Sequence, residues 1–244
     1  MSKTIICMKW GTRYGADFVN RLHAMTRRHV TGNLRFVCFT DDGSELDPDI
    51  EALPLPHIEL PERVRWNPWR KISLWQYPLA DLEGDVLFLD LDIVVTGSLD
   101  PLFDFEPGRY CVIHNWTQPR DTVGNTSVFR FPVGKHTHIY DRVMSEPDDV
   151  LGKYKIEQLY ISREIDDQAF WPKRWCVSFK HSCVPLFPLN FFMVPALPRD
   201  ARVVIFSGNP DPDEAIAGHY PTPAKWKRLY KHVRPTPWVA EHWR

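Results

Sequence analysis

Residues 85–96 read Asp-Val-Leu-Phe-Leu-Asp-Leu-Asp-Ile-Val-Val-Thr. A carboxylate is rarely buried without a partner, yet Asp90 and Asp92 follow one apolar run and lead straight into another. A near-continuous apolar run is how a strand covered on both faces of a parallel sheet reads, which places the two acids at its carboxyl end. In an extended chain, residues i and i+2 point to the same side, so both side chains can reach one hard cation. Mg²⁺ or Mn²⁺ held by one or two carboxylates, with substrate phosphates completing the shell, is the chemistry such a pair serves. Most Asp-x-Asp pairs are solvated turns or helix caps. The strand context favours the metal reading, because open α/β sheets bind ligands at the carboxyl ends of their strands.

The elements that must position this pair alternate. Residues 4–10 and 34–40 are expected strands, the second ending at Asp41-Asp42-Gly43. Residues 15–29 carry Phe18, Val19, Leu22 and Met25 at a helical period. Segment 53–61 is Pro-rich and extended, and Asn67-Pro68 starts a helix through residue 77, with Asn as cap and Pro at the first helical position. With 85–95 as the next strand, the order is that of a parallel sheet with helices on both faces. Further on, 109–116, 126–133, 176–181 and 201–206 read as strands, 136–144 and 151–161 as helices, and 164–171 as a short helix or loop. The Pro-rich stretches 185–198 and 210–223 are expected loops over the site. No repeat or linker divides the chain, so one domain over 1–244 is expected, with a nucleotide-binding half (1–105) and an acceptor and donor-sugar half (106–244).

Composition excludes several classes. The 244 residues balance 30 Lys and Arg against 31 Asp and Glu, whereas a duplex nucleic-acid binder carries a basic excess. The N-terminus lacks a signal-peptide apolar stretch, and no window has the length of a membrane span. Five cysteines without Cys-x-x-Cys spacing, three of them (Cys7, Cys38, Cys111) inside apolar runs, read as small buried hydrophobes in a reducing compartment. A cytoplasmic location follows as an expectation.

Other segments add chemistry in order. Residues 9–15 join the first strand to the first helix, where Trp10 and Gly11 would face a nucleotide and the helix N-terminus favours phosphate; a plain connecting turn is the alternative. Phe39-Thr40-Asp41-Asp42 follows the second strand. Lys71 lies in the helix before the Asp-x-Asp strand, and Asn125-Thr126-Ser127-Val128-Phe129 opens a later one. Asp166-Asp167-Gln168 and Phe206-Ser207-Gly208-Asn209-Pro210 come last. In this order, and with Leu87-Phe88-Leu89-Asp90-Leu91-Asp92 as the most specific element, the sequence resembles nucleotide-sugar glycosyltransferases of the GT-A fold, in particular their bacterial family 8-like branch.

The resemblance implies a metal-dependent transfer of a sugar from a nucleotide diphosphate, most simply a UDP-sugar, to a glycan or lipid-linked acceptor. Asp90 and Asp92 would hold Mn²⁺ or Mg²⁺, which offsets the charge growing on the leaving diphosphate. Thr40 and Asp41 would meet the base or ribose, Lys71 the diphosphate, and Leu91, Asn125, Thr126 and Ser127 the donor. The amides around Gly208 would bind phosphate. Asp167 would hold a sugar hydroxyl or act as base, with Gln168 near the anomeric carbon. The family supplies a further metal-binding His near Gly208. Here Ser207 stands in that stretch, so His219 or the Ser207 hydroxyl is the expected substitute. Each residue also has a plainer role: Asp41 as a turn former, Lys71 on a solvated helix face, Asp166 and Asp167 as a capping pair, His219 on a surface loop.

Trp66, Trp116, Trp171 and Trp175 are candidates for an acceptor platform, while Trp69, Ile72 and Trp75 have the spacing of core. The tail mixes Lys225, Lys227, Arg228, Lys231 and Arg234 with Trp226, Tyr230, Trp238 and Trp243. Such a tail can rest on an anionic membrane, although a C-terminal helix docked on the domain is the favoured reading. Two rivals stand: a nucleotidyltransferase, for which 9–15 is a poor basic Gly-rich loop, and a non-catalytic nucleotide or carbohydrate binder that has kept the fold.

Overall fold

A computed structural model describes residues 2–222 and 224–244, apart from the Lys225 side chain. Pro223, at the end of the expected 210–223 loop, lies outside the described residues.

Apolar β-branched runs build the sheet. Strands β1 (Lys3–Lys9), β2 (Leu34–Thr40), β3 (Glu51–Pro54) and β4 (Asp85–Leu89) pair in parallel in the order β3-β2-β1-β4. β7 (Gly124–Pro132) adds antiparallel to β4, then β6 (Cys111–His114) antiparallel to β7, then β8 (Ala169–Phe170) parallel to β6. Strands from both expected halves therefore share one mostly parallel seven-stranded sheet. A second sheet is made of β5 (Ile93–Val95), β10 (Val203–Ile205) and β9 (Cys176–Ser178).

Alternation along the strands gives the sheet two cores. Ile5, Cys7, Leu87 and Leu89 pack with Val19, Leu22 and Met25 of helix α1 (Ala16–His29). Ile6, Met8, Val86 and Phe88 face the other way. They pack with Trp69, Ile72 and Trp75 of a 3-10 helix (Pro68–Trp75) and with Ile139 and Val143 further along the chain. Helices thus cover both faces. All five cysteines are free and buried.

Several elements differ from expectation. The run 85–95 is not one strand: β4 stops at Leu89, and the chain bends through Asp90-Leu91-Asp92 into β5 of the other sheet. The expected helix 67–77 is the 3-10 helix, started by the Asn67 side chain accepting from the Trp69 amide at 3.0 Å. Of the Pro-rich segment 53–61 only Leu53 and Pro54 belong to a strand, β3, since Pro54 and Pro56 have no amide for the ladder. The helix expected over 151–161 is two, α4 (Pro147–Lys153) and α5 (Glu157–Glu164), with extended backbone at Tyr154 and Ile156 between them. Residues 164–171 contribute β8 rather than a helix. β9 is short because the chain winds at once into a wide turn over Phe179–Cys183.

Helices α2 (Asp100–Asp104) and α3 (His138–Ser145) connect strands. The late Pro-rich stretch contains α6 (Pro212–Ala217), fixed by reciprocal Asp211–Glu214 capping and ended by Gly218 at φ +72°. The chain closes with a 3-10 helix (Lys225–Leu229) and α7 (Pro237–His242), whose Val239 is buried, as is the following Trp243.

Candidate functional site

The carboxyl ends of β1 and β4 open into a cavity of about 540 Å³, within the range of small-molecule sites. Trp10, Gly11, Thr12, Arg13, Tyr14, Trp66, Pro68, Lys71, Asp90, Leu91 and Asp92 line it. The β1–α1 connection and the Asp-x-Asp bend therefore meet, as the alternation of elements requires. Gly11 has φ +62°, a left-handed conformation that favours glycine, and its amide donates to Asp41 Oδ2 at 2.9 Å. Trp10 Nε1 donates to the Trp66 carbonyl at 3.1 Å, which closes one wall.

Each aspartate is anchored to a different sheet. The Asp90 amide donates to the Ser127 carbonyl at 2.8 Å, extending the β4–β7 pairing, and the Asp92 carbonyl accepts from the Phe206 amide at 2.9 Å, extending β5–β10. Leu91, nearly buried, is the joint between them. The two carboxylates share the cavity because the chain crosses from one sheet to the other there, and not because one straight strand aims them alike.

The charges at this end do not balance. Lys71 Nζ, itself buried, lies 2.7 Å from Asp90 Oδ2 and donates to the Thr126 carbonyl at 3.1 Å. Lys71 is thus not on a solvated face: it lines the cavity with its ammonium held between Asp90 and the Thr126 carbonyl. Asp92 has no such partner. Burial first, and then the Asp90 charge, push its carboxyl up to about 7. Asp211, at the start of α6, accepts from the Tyr14 hydroxyl at 3.2 Å and lies 3.9 Å from Arg13. Burial raises its carboxyl too, and burial with the Asp92 and Asp211 charges raises the Tyr14 phenol.

The other expected residues divide. Thr40 and Asp41 stand behind the cavity, with Thr40 Oγ1 bonded to the Asp42 backbone and Asp41 holding Gly11. Asn125 accepts from the Ser127 amide at 3.2 Å, while Thr126 donates to the buried Glu157 carboxylate at 2.8 Å. Ser127 Oγ is 3.5 Å from Ser207 Oγ, so the Gly208 loop lies beside the bend. Gly208 has φ +70°, and a Cβ there would meet Lys180 Nζ at 3.5 Å. Lys180 also donates to the Ser207 carbonyl. Trp69, Ile72 and Trp75 are core, and so is Trp171.

Three expectations need correction. Asp167 lies at the far end of the sheet: it precedes β8, whose first residue is level with Cys111, Arg130 and Leu87. Its carboxylate is 2.8 Å from Lys135 and 3.6 Å from His136. The Lys135 hydrogen bond holds the Asp167 carboxyl below its ordinary range, so this is a neutralised structural pair and not a base at the cavity. Gln168 donates its amide to the Thr122 carbonyl at 2.8 Å and does not line the cavity. His219 lines a separate hollow with Asn209, Arg228, Lys231 and His232. Among the described residues no three His, Cys, Asp or Glu side chains converge as a metal-holding group, so His219 does not join Asp90 and Asp92.

Sequence reasoning placed the 9–15 connection at the site without singling out Arg13 and Tyr14, and it missed Lys180 and Asp211. Asp211-Pro212 carries the signal of a helix start, which it is, and nothing in its spacing reports that this start abuts the Asp-x-Asp bend. Lys180 was hidden in an expected strand.

No family model matches this sequence, and no curated protein does. Solved structures match its shape. A galactosyltransferase, LgtC, in complex with donor and acceptor sugar analogs superposes with a TM-score of 0.60 at 13% identity, covering 86% of this chain and 88% of that one. The glycosyltransferase GlyE of Streptococcus pneumoniae TIGR4 gives 0.60 at 13% identity, over 86% of this chain and 56% of GlyE. The bifunctional glycosyltransferase WbbM gives 0.56 at 13% identity, over 86% and 46%. At such identities the likeness establishes architecture: the chain has the GT-A fold, a mostly parallel Rossmann-like sheet with helices on both faces.

Proposed function

We propose that this chain is a glycosyltransferase that moves a sugar from a nucleotide-diphosphate donor, most simply a UDP-sugar, to a glycan or lipid-linked acceptor. The observation that carries this reading is the pair Asp90 and Asp92 in one cavity at the carboxyl ends of β1 and β4, with Lys71 and Arg13 beside them and Asp92 bound to neither. The fold shared with LgtC, GlyE and WbbM supports it.

The donor set suits a hard divalent ion. Two oxygen ligands would come from Asp90 and Asp92; burial first, and then the Asp90 charge, raise the Asp92 carboxyl, and a bound cation would favour its ionised form. With no third protein ligand converging among the described residues, donor phosphates and water would complete the shell. Mn²⁺ or Mg²⁺ bound there supplies Lewis-acid offset of the charge on the departing diphosphate. Around it, Lys71 fixes the Asp90 carboxylate, and Arg13, on the cavity wall, meets a phosphate oxygen. Trp10 and Trp66 form an apolar wall for the base. Ser207 lies beside the bend, its Oγ 3.5 Å from Ser127 Oγ.

The Lys71–Asp90 pair also favours a second reading, since an ammonium already sits against one carboxylate as a cation would. On that reading the chain binds nucleotides without metal and without turnover. A panel of nucleotide sugars, tested for thermal stabilisation and slow donor hydrolysis with and without Mn²⁺, separates the two. Mn²⁺-dependent stabilisation with release of nucleoside diphosphate, both lost in Asp92→Ala, is expected. Binding without turnover would favour the non-catalytic reading, and metal-free preference for a nucleoside triphosphate would count against a sugar donor.

A further inference from the structure

The stretch 185–195 and the 3-10 helix Lys225–Leu229 form one face that the candidate site does not use. Leu186, Phe192 and Leu229 are 84%, 78% and 76% exposed, and Phe187, Met193 and Trp226 are each more than half exposed. Single exposed apolar side chains are ordinary, but a contiguous set of this size marks a contact surface. The two segments are clamped together. Buried Asn190 donates to the Tyr230 carbonyl at 2.8 Å and to the His232 carbonyl at 3.0 Å, and the Phe191 ring stacks on His232 at 4.6 Å. From beneath, Trp238 Nε1 donates to the Pro195 carbonyl at 2.9 Å, so α7 is docked and serves as a footing for the exposed loop.

Charge identifies the partner. No Asp or Glu occurs between Asp167 and Asp200, nor between Glu214 and Glu241. Lys227 lies over the Trp226 ring and Lys231 over Tyr220, while Arg228, Lys231, His219 and His232 line the adjoining hollow. Two copies meeting through this face would set basic rim against basic rim, which opposes association. An apolar patch with a cationic border is complementary to a bilayer that carries anionic headgroups.

We propose that this face docks on anionic lipid membranes. Leu186, Phe187, Phe192, Met193, Trp226 and Leu229 enter the acyl boundary, and Lys227, Arg228 and Lys231 meet headgroup phosphates. The surface lies next to the candidate site. Lys180, a few residues before the exposed stretch, donates to the Ser207 carbonyl, and Ser207 Oγ lies 3.5 Å from Ser127 Oγ beside the Asp-x-Asp bend. An acceptor anchored in lipid would therefore approach from the correct side. The docking itself does not depend on the transferase reading, and vesicle binding tests it separately from turnover.

The test is co-sedimentation of the full chain with vesicles of phosphatidylcholine alone or mixed with phosphatidylglycerol. Binding to the mixed vesicles, weakened by salt and absent with phosphatidylcholine alone, is expected. The double variant Phe192→Asp/Leu229→Asp should lower partitioning about a hundredfold, from the lost burial of two large apolar groups. Arg228→Glu/Lys231→Glu should lower it by at least about thirtyfold at low salt. Both variants should keep the wild-type circular dichroism and thermal midpoint. Should the apolar variant not fold, quenching of wild-type tryptophan emission by brominated-chain lipid, compared with Trp226→Phe, reads insertion directly. Wild-type protein left in the supernatant with mixed vesicles overturns the proposal. So does undiminished binding of folded variants, or a dimer that the apolar substitutions split.

Discussion

Two acidic clusters stand at opposite ends of the main sheet, and their electrostatics differ in kind. At the end where β4 begins, Asp167 is matched by Lys135 and His136, its backbone carbonyl accepts from Arg109, and its carboxyl is held low. At the end where β4 stops, Asp90 and Asp92 share one lysine, and the Asp92 carboxyl is driven up. A balanced cluster needs nothing more and holds chain to chain. An unbalanced one inside a cavity is poised for a ligand that supplies the missing charge. The contrast gives structural work to one end and leaves the other for the proposed chemistry, although both look alike as short acidic motifs.

That contrast can be broken by substitution. The largest effect is expected from Asp92→Ala, which should cut donor turnover about a thousandfold by removing a ligand of the charge-offsetting cation, while circular dichroism stays native. Full activity in that variant would place the chemistry elsewhere. Next, Lys71→Met leaves Asp90 without its buried partner and should destabilise the fold by about 3 kcal/mol, read by urea denaturation. Adding Asp90→Asn should recover much of that loss, and failure to recover it would mean that Lys71 acts through packing.

Asp92→Asn sharpens the comparison through pH. The folded carboxyl titrates near 7, above its ordinary value, so its ionisation opposes folding. The penalty is absent below the ordinary carboxylate range, grows as pH rises, and is complete above about 7. In metal-free buffer the Asn variant should therefore be more stable than wild type at pH 8, by up to about 4 kcal/mol, and close to it near pH 4. A constant difference across that range would refute the electrostatic account.

The smallest effect belongs to Asp167→Ala. Its carboxylate and the Lys135 side chain are 44% and 40% exposed, so the loss should be below about 1 kcal/mol, with donor turnover unchanged. Because the Asp167 carboxyl is held low, that small contribution exists above the ordinary carboxylate range and fades as pH falls through it. A severe loss of turnover would return Asp167 to the site.

How much the sequence disclosed follows from the range of the interactions involved. Helix α1 and strands β1 and β2 follow from local periodicity, and the Asn67 cap from one side chain, so they were legible. The Asp90–Asp92 cavity was legible because buried carboxylates are costly wherever they sit. What escaped was long-range. The break between β4 and β5 depends on β10 pairing from more than a hundred residues away and leaves no local mark in an apolar run. Asp167 looked catalytic because Asp-Gln spacing does not say at which end of β8 it falls. Lys180 and Asp211 reach the bend through β9 and β10, whose placement beside β5 no spacing predicts.

The bend itself has a consequence for how this protein would evolve. One carboxylate moves with the large sheet and the other with the small one, so the gap between them is a gauge of how the two sheets are aligned. Packing changes around Leu91, Val94 or Val204, none of which needs to touch a ligand, reset that gap. The preference of the proposed ion site would then drift through the hydrophobic interior while every polar residue of the pocket stays the same.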